Sequence, residues 1–544
     1  MNKWLTFILL LLSYKFVSAQ DINRYIVFFA DKENSKYAID QPSEFLSERA
    51  IERRNKQSIA ITIEDLPVNE NYLDSLKKYG VQYFHSSKWF NAVLVETEEF
   101  VLQELVQKDF ILKYDFVAPN QKLIAEPVKK EISFTSVDPK NVTSNSSMQL
   151  SMLGVEKMHE DGYLGNDILI SVLDAGFYNV NQSSLFSHVF NNNRLIDLKN
   201  FVTNENDVFT SDDHGTSAFS CIASKSEVLT GTAPDASFAL YITEDPPTEY
   251  RIEEYNWLFG AERADSLGTD IISSSLGYAV DFNDRSMDYE YEDTDGKTAV
   301  VSKAASMASD RGILVVASAG NEGMNLKSWP YIVMPSDVKD VLSVGAIDKY
   351  RNRAGFSSFG PTTNGLIKPD VVALGVNVSV YRGSNKISSL SGTSFSAPLI
   401  SGLAAGLWEK FPTLRNTELK ELITSSASKK INPDSLQGYG LPNYQYARSN
   451  EVLSVQLIME SVVSVYPNPF TSDHISIRIE KEYARQSINF TLYSPDGKIV
   501  NTTSIKKYKK GDVLGMKVNS LKKGMYLLNV STDGVTKNVK LLRY

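Results

Sequence analysis

Four residues of this 544-residue chain have the types and settings that nucleophilic chemistry requires. Ser394, in "SLSGTSFSAPLISGLAAGLW", stands among small residues just before an apolar run with helical spacing. A serine in that position commonly serves only as a helix cap. A nucleophilic role needs a base within reach, a group that orients the base, and a donor for the developing oxyanion. His214, in "DDHGTSAFSCIAS", follows a turn at the start of a helical segment. Asp174 closes the apolar strand "ILISVLDAG", and Asn321 follows another in "VVASAGNEG". Taken singly, each has an ordinary alternative: a structural imidazole, a strand-end carboxylate capping a turn, a turn asparagine. Together they form a set in the order Asp174, His214, Asn321, Ser394, each within two residues of a glycine. Of the other histidines, His85, His159, His188 and His474, the first and last lie in flanking regions, and His159, beside Glu160 and Asp161, is expected to be solvated.

Such a set must be brought together from positions 220 residues apart, which puts a demand on the fold. From about 150 to 450, short apolar strands ("DILISVLDAG", "GTDIISSSLG", "RGILVVASAGN") alternate with helical segments such as "TAVVSKAASMASD". Uninterrupted apolar strands between helices imply a parallel α/β sheet covered on both faces. Reactive groups then belong just past the carboxyl ends of its strands.

The flanks read differently. "MNKWLTFILLLLSYKFVSAQ" has a lysine, a short apolar core and a small-residue end, so residues 1–19 form a secretory signal, with no cysteine for a lipid anchor. No later run is long and apolar enough to span a membrane. Residues 20–122 read as a small α+β unit with strands "RYIVFFA" and "WFNAVLVE" and three helices. Residues 123–149, rich in Ser, Asn and Lys, read as a linker and processing region. After about 460 the pattern becomes a small all-β sandwich with Asp-Gly turns, running to residue 544.

Hydrophobic residues at 42% and charged residues at 22% permit sizeable cores and exclude wholesale disorder. Residues 481–544 carry 13 Lys/Arg against 4 Asp/Glu, so this +9 tail follows a body of −18 within a net charge of −9. The basic residues are scattered and no nucleic-acid motif accompanies them, so nucleic acid is excluded as a partner. The single cysteine, Cys221, rules out an intrachain disulfide. It lies seven residues after His214, two helical turns along the same face.

Residues 150–450 resemble the subtilase family of serine proteases through "SVLDAGF", "DDHGTSAF", "SSSLG", "ASAGNEG", "SVGAIDKYRNRAGFSSFGP" and "SGTSFSAP". The resemblance implies a subtilisin-like α/β fold and a secreted serine endopeptidase with Asp174, His214 and Ser394 as triad and Asn321 in the oxyanion hole. It also implies a cleft lined by Ser275, Leu276 and Gly277 on one wall and Ser318, Ala319 and Gly320 on the other. The 20–122 unit resembles the inhibitory propeptides of secreted subtilases. The tail, with "YPNPF", "LYSPDGKIV" and "LKKGMYLLNV", resembles the C-terminal sorting domain of the type IX secretion system. Export by Sec and then by that machinery, to the surface or medium of a Bacteroidetes-like bacterium, is what these two ends imply.

Two positions depart from the family pattern. Ser217 stands where a second histidine is frequent, and Phe395 where a methionine commonly follows the nucleophile. Neither removes a reacting group. The chemistry requires no cofactor. Structural calcium is common in the family, but no ligands are placed: "YEDTDGKT" has an incomplete calcium-loop pattern and reads as a solvated acidic insertion. Two other functions remain open at this stage. One is a surface-displayed binding protein on an inactive protease scaffold, which four intact residues argue against; the other is a processing protease dedicated to one partner.

Overall fold

The computed structural model describes residues 22–120, 139–449 apart from 211 and 385, and 463–544 apart from 480–486, 496, 507–508, 510, 520 and 533–534. The signal segment and, within the stretch 121–138, most of the 123–149 processing region lie outside the described residues.

The N-terminal unit is a four-stranded antiparallel sheet in the order β2-β3-β1-β4, made of β1 (Asn23–Phe29), β2 (Gln82–Ser87), β3 (Ala92–Thr97) and β4 (Ile111–Pro119). Helices Glu48–Gln57, Glu70–Lys78 and Glu99–Leu105 accompany it. One sheet face closes on its own core, with Tyr25, Val27, Leu76, Val93 and Leu102. Ile26, Trp89, Leu94 and Val117 instead join a core shared with the next domain.

That domain is built on seven parallel strands. β5 (Leu169–Asp174), β6 (Leu195–Asn200), β7 (Ser237–Ile242), β8 (Ile271–Ser274), β9 (Leu314–Ser318), β10 (Leu342–Ile347) and β11 (Val371–Leu374) lie in the order β11-β10-β9-β8-β5-β7-β6. β5 is buried at all six positions, as expected of a mostly apolar strand covered on both faces. One sheet face packs on the helix Thr393–Lys410 and on Phe177, Phe219 and Phe238. The other packs on Ile252–Leu267 and Val300–Asp310.

Two sequence readings need correction. The segment taken as linker up to residue 149 contains a helix, Pro139–Leu153. Its Gln149 is fully buried and accepts the Ser379 N–H at 3.0 Å, so this stretch belongs to the α/β domain and the connection is shorter. His159 is not a solvated residue: its Nε2 meets the Thr232 carbonyl at 3.0 Å. Burial lowers its pKa.

Residues 463–544 form two antiparallel sheets of three and four strands over a core of Ile475, Ile477, Phe490, Leu528 and Val530. None of the described helices is long and apolar enough to cross a membrane.

Candidate active site

β5 ends at Asp174, whose side chain is wholly buried. Its Oδ1 accepts the Ala175 N–H at 2.8 Å and the His214 Nδ1–H at 2.7 Å. His214 is the first residue of the helix His214–Ala223, and its own N–H donates to Asp212 Oδ1 at 2.7 Å. The next residue must be glycine: a Cβ on Gly215 would stand 2.4 Å from the Gly176 carbonyl oxygen and 2.8 Å from Asp174 Cβ. That close approach seats the imidazole on the carboxylate. Burial works to lower the His214 pKa, but the Asp174 charge and hydrogen bond outweigh it and hold it up at about 9.

Ser394 is the second residue of the helix Thr393–Lys410, so it is both near a helix start and in the cleft. Its hydroxyl donates to the Ser275 carbonyl at 3.3 Å. In return the Ser275 hydroxyl donates to the Ser394 carbonyl at 2.7 Å. That carbonyl is free because the residue four positions on is Pro398, which has no N–H to give it. The helix therefore carries its proline where the missing bond ties the Ser394 turn to Ser275. The Phe395 ring lies 5.8 Å from the imidazole, centre to centre, and packs against it.

Asn321 is held by Thr393. Its Oδ1 accepts the Thr393 N–H at 2.9 Å and the Thr393 hydroxyl at 3.0 Å. With Oδ1 so engaged, the amide Nδ2 is the end left to donate beside Gly392, where an added Cβ would lie 3.7 Å from it. Thr393 is the residue that sequence reasoning missed. Its position next to Ser394 is the only sequence signal for it.

The cleft segments leave β8 and β9, which pair in parallel from Ile271↔Leu314 to Ser274↔Ala317. Ser275, Leu276 and Gly277 continue from β8, while Ser318 ends β9 and leads into Ala319 and Gly320. The two segments are tied by the Ser318 hydroxyl, which donates to the Leu276 carbonyl at 3.3 Å. The Gly320 N–H donates to Thr393 Oγ1 at 3.2 Å, tying the second segment to the helix that carries Ser394. All ten residues singled out in the sequence thus lie at the carboxyl edge of β5, β8 and β9 or at the starts of two helices. Ser217 is buried, with its hydroxyl on the Asp213 and Tyr381 carbonyls at 3.1 and 3.3 Å.

A family model described as "Subtilase family" matches residues 165–440, just over half of the chain. The chain belongs to the subtilase family. Residues 24–133 match the "Peptidase S8 propeptide domain, Bacteroidota" and residues 464–542 the "Secretion system C-terminal sorting domain". This subtilase is similar to subtilisin BL of Lederbergia lenta, 30% identical over 55% of this chain and 97% of that one. It is also similar to the thermostable alkaline protease of Halalkalibacterium halodurans, 26% identical over 64% and 89%. In fold it is like the epidermin leader peptide processing serine protease of Staphylococcus aureus. There the TM-score is 0.54 at 17% identity, over 79% of this chain and 99% of that one. The protein is a serine endopeptidase, with a Bacteroidota-type propeptide domain and a type IX sorting domain. It is a secreted or cell-surface protein of a Bacteroidetes-like bacterium.

Proposed function

We propose that this subtilase cleaves proteins through a Ser394 acyl-enzyme, with His214 as proton carrier and Asp174 as its orienting carboxylate. A serine hydroxyl is a weak nucleophile near neutral pH and needs the imidazole as base. Rotation of the Ser394 side chain away from the Ser275 carbonyl turns its hydroxyl toward His214 Nε2. As the oxygen attacks the scissile carbonyl, Nε2 takes the proton. Asp174 fixes the tautomer through Nδ1 and stabilises the imidazolium. The tetrahedral oxyanion is met by the Asn321 Nδ2–H and the Ser394 N–H, aided by the partial positive charge of the helix start. His214 then protonates the leaving amine, and water repeats the sequence on the acyl-enzyme. The observation that carries this reading is the 2.7 Å contact of a buried Asp174 with His214.

The substrate is a protein or peptide laid as an extended strand along Ser275–Gly277, with Ser318–Gly320 walling the main specificity pocket. The chemistry uses side chains and backbone alone. By this reading the 20–122 unit is the chain's own inhibitor, cut free within 123–138, and the Sec and type IX machineries are its export partners. A fluorophosphonate probe tests the nucleophile: labelling of the wild type and none of Ser394→Ala is expected. Equal labelling of both refutes the assignment by putting the reactive group elsewhere, and labelling of neither refutes it in favour of the inactive-scaffold alternative.

A further inference from the structure

Beyond the catalytic set, one group of side chains is unlike any ordinary surface cluster. Glu244, Glu249 and Glu253 each bring a carboxylate oxygen to within 4.8 Å of the other two. They stand on the segment that leaves β7 and turns into the helix Ile252–Leu267. That segment is built firmly. The Glu249 N–H donates to Asn283 Oδ1 at 2.6 Å, and the Asn283 N–H donates to the Glu249 carbonyl at 2.9 Å. Tyr278, one residue beyond the cleft wall, donates its hydroxyl to Glu244.

Three carboxylates so close repel one another, and in water such side chains would swing apart. Here Glu253 cannot: it is 1% exposed. Its Oε1 accepts the Asp245 N–H at 2.9 Å, and its Oε2 has no hydrogen-bond partner among the described residues. A buried carboxylate oxygen without a donor is costly. No lysine or arginine ion pair compensates Glu244 or Glu253 among the described residues. Arg251, the nearest basic residue in the chain, is turned to the Met287 carbonyl, to Glu254 and over the Tyr289 ring.

We propose that Glu244, Glu249 and Glu253 bind a divalent cation of the hard, oxygen-seeking kind, calcium being the best fit. Calcium takes oxygen ligands at about 2.3–2.6 Å, so two oxygens on one ion lie no more than about 5 Å apart. The observed limit of 4.8 Å meets that condition for all three pairs. The donor set holds no sulfur or nitrogen, which disfavours zinc and copper. The ion supplies the countercharge that Glu253 Oε2 lacks. It also pins the β7 exit to Tyr278, and through it to the neighbouring cleft wall.

The test uses full-length Ser394→Ala protein, which cannot digest itself, stripped with chelator and dialysed. Calorimetric titration with calcium counts sites and affinities, and thermal melts with and without calcium read the stabilisation. Glu249→Gln, at a half-exposed position, is expected to fold like the parent and to weaken one calcium site at least tenfold. Glu244→Gln combined with Glu253→Gln is expected to remove that site and most of the calcium-dependent rise in Tm. Terbium luminescence sensitised by Tyr278 is expected in the parent, competed by calcium, and lost in the double variant. If Glu249→Gln leaves every site and the Tm rise unchanged, the proposal is overturned, whether or not the double variant folds.

Discussion

The contact between the propeptide unit and the protease domain should rest largely on one carboxylate. Asp265 is fully buried and receives Arg53 at 2.6 Å, Arg54 at 2.9 Å and Lys88 at 2.8 Å, all three from the N-terminal unit. Arg54 also pairs with Asp65 at 3.0 Å, and Asp65 receives Arg311 of the protease domain at 2.8 Å. Asp265→Asn keeps the volume and removes the charge, leaving three buried cations short of a partner. Breaking a buried ion pair costs about 3–5 kcal/mol, which corresponds to a hold weaker by roughly 10²- to 5 × 10³-fold. The assay uses Ser394→Ala protein nicked between residues 120 and 139 by an added protease, with retention of the N-terminal fragment followed on dilution by native mass spectrometry. Burial raises the Asp265 pKa, but Lys88, Arg53 and Arg54 outweigh it and hold it far below the usual carboxylate range. A depressed carboxylate contributes its stability above its unfolded value of roughly 4 and loses it only as the pH falls through the lower folded value. Retention should therefore be the same at pH 7 and pH 5. Asp265→Asn protein that holds the fragment within a few-fold of the parent would refute this reasoning.

Three further outcomes follow from the site. Asp174→Asn removes the charge that holds the His214 pKa near 9, while the burial that lowers it stays. In Ser394→Ala protein, nitrogen NMR should show the His214 titration dropping below its ordinary value of about 6.5; no downward shift would contradict the stated cause. Asn321→Ala should lower kcat by about 10²–10³ with KM little changed, and Thr393→Val should lower it less, since only the orientation of the amide is loosened. A Cβ on Gly277 would fall 2.1 Å from Val333 Cγ2, so Gly277→Ala should displace the cleft wall and raise KM for extended peptides more than it lowers kcat.

The candidate catalytic set was legible because chemistry restricts residue types and because an apolar strand ending in Asp or followed by Asn announces its carboxyl edge. The sheet was legible for the same reason: β5, β8 and β9 are short, largely apolar or small-residue runs, buried at every position. What escaped lacks local pattern. β2 reads "QYFHSS", with one buried residue and no alternation, and forms a strand because β3 offers it an edge. The helix Pro139–Leu153 hides in Ser- and Asn-rich sequence, and its Gln149 finds its partner 230 residues away. The Arg54–Asp265 pair spans 211 residues. Thr393 orients Asn321 across 72 residues. Glu244, Glu249 and Glu253 look like solvated charge until the fold turns them inward.

The placement of Asp265 has a consequence for timing. It sits on a helix behind the sheet, on the face opposite the helix that carries Ser394. Cutting the connection between residues 120 and 139 alters the covalent chain and leaves the adhesion untouched. Under the proposed processing, severance and switch-on would therefore be separate events, with the interval between them set by how long the freed unit clings or survives. Under the same proposal, the first molecule to lose its inhibitor would digest that of its neighbours. Activity should thus arise as an accelerating burst whose delay shortens with enzyme concentration, rather than as a steady rise beginning at the cut.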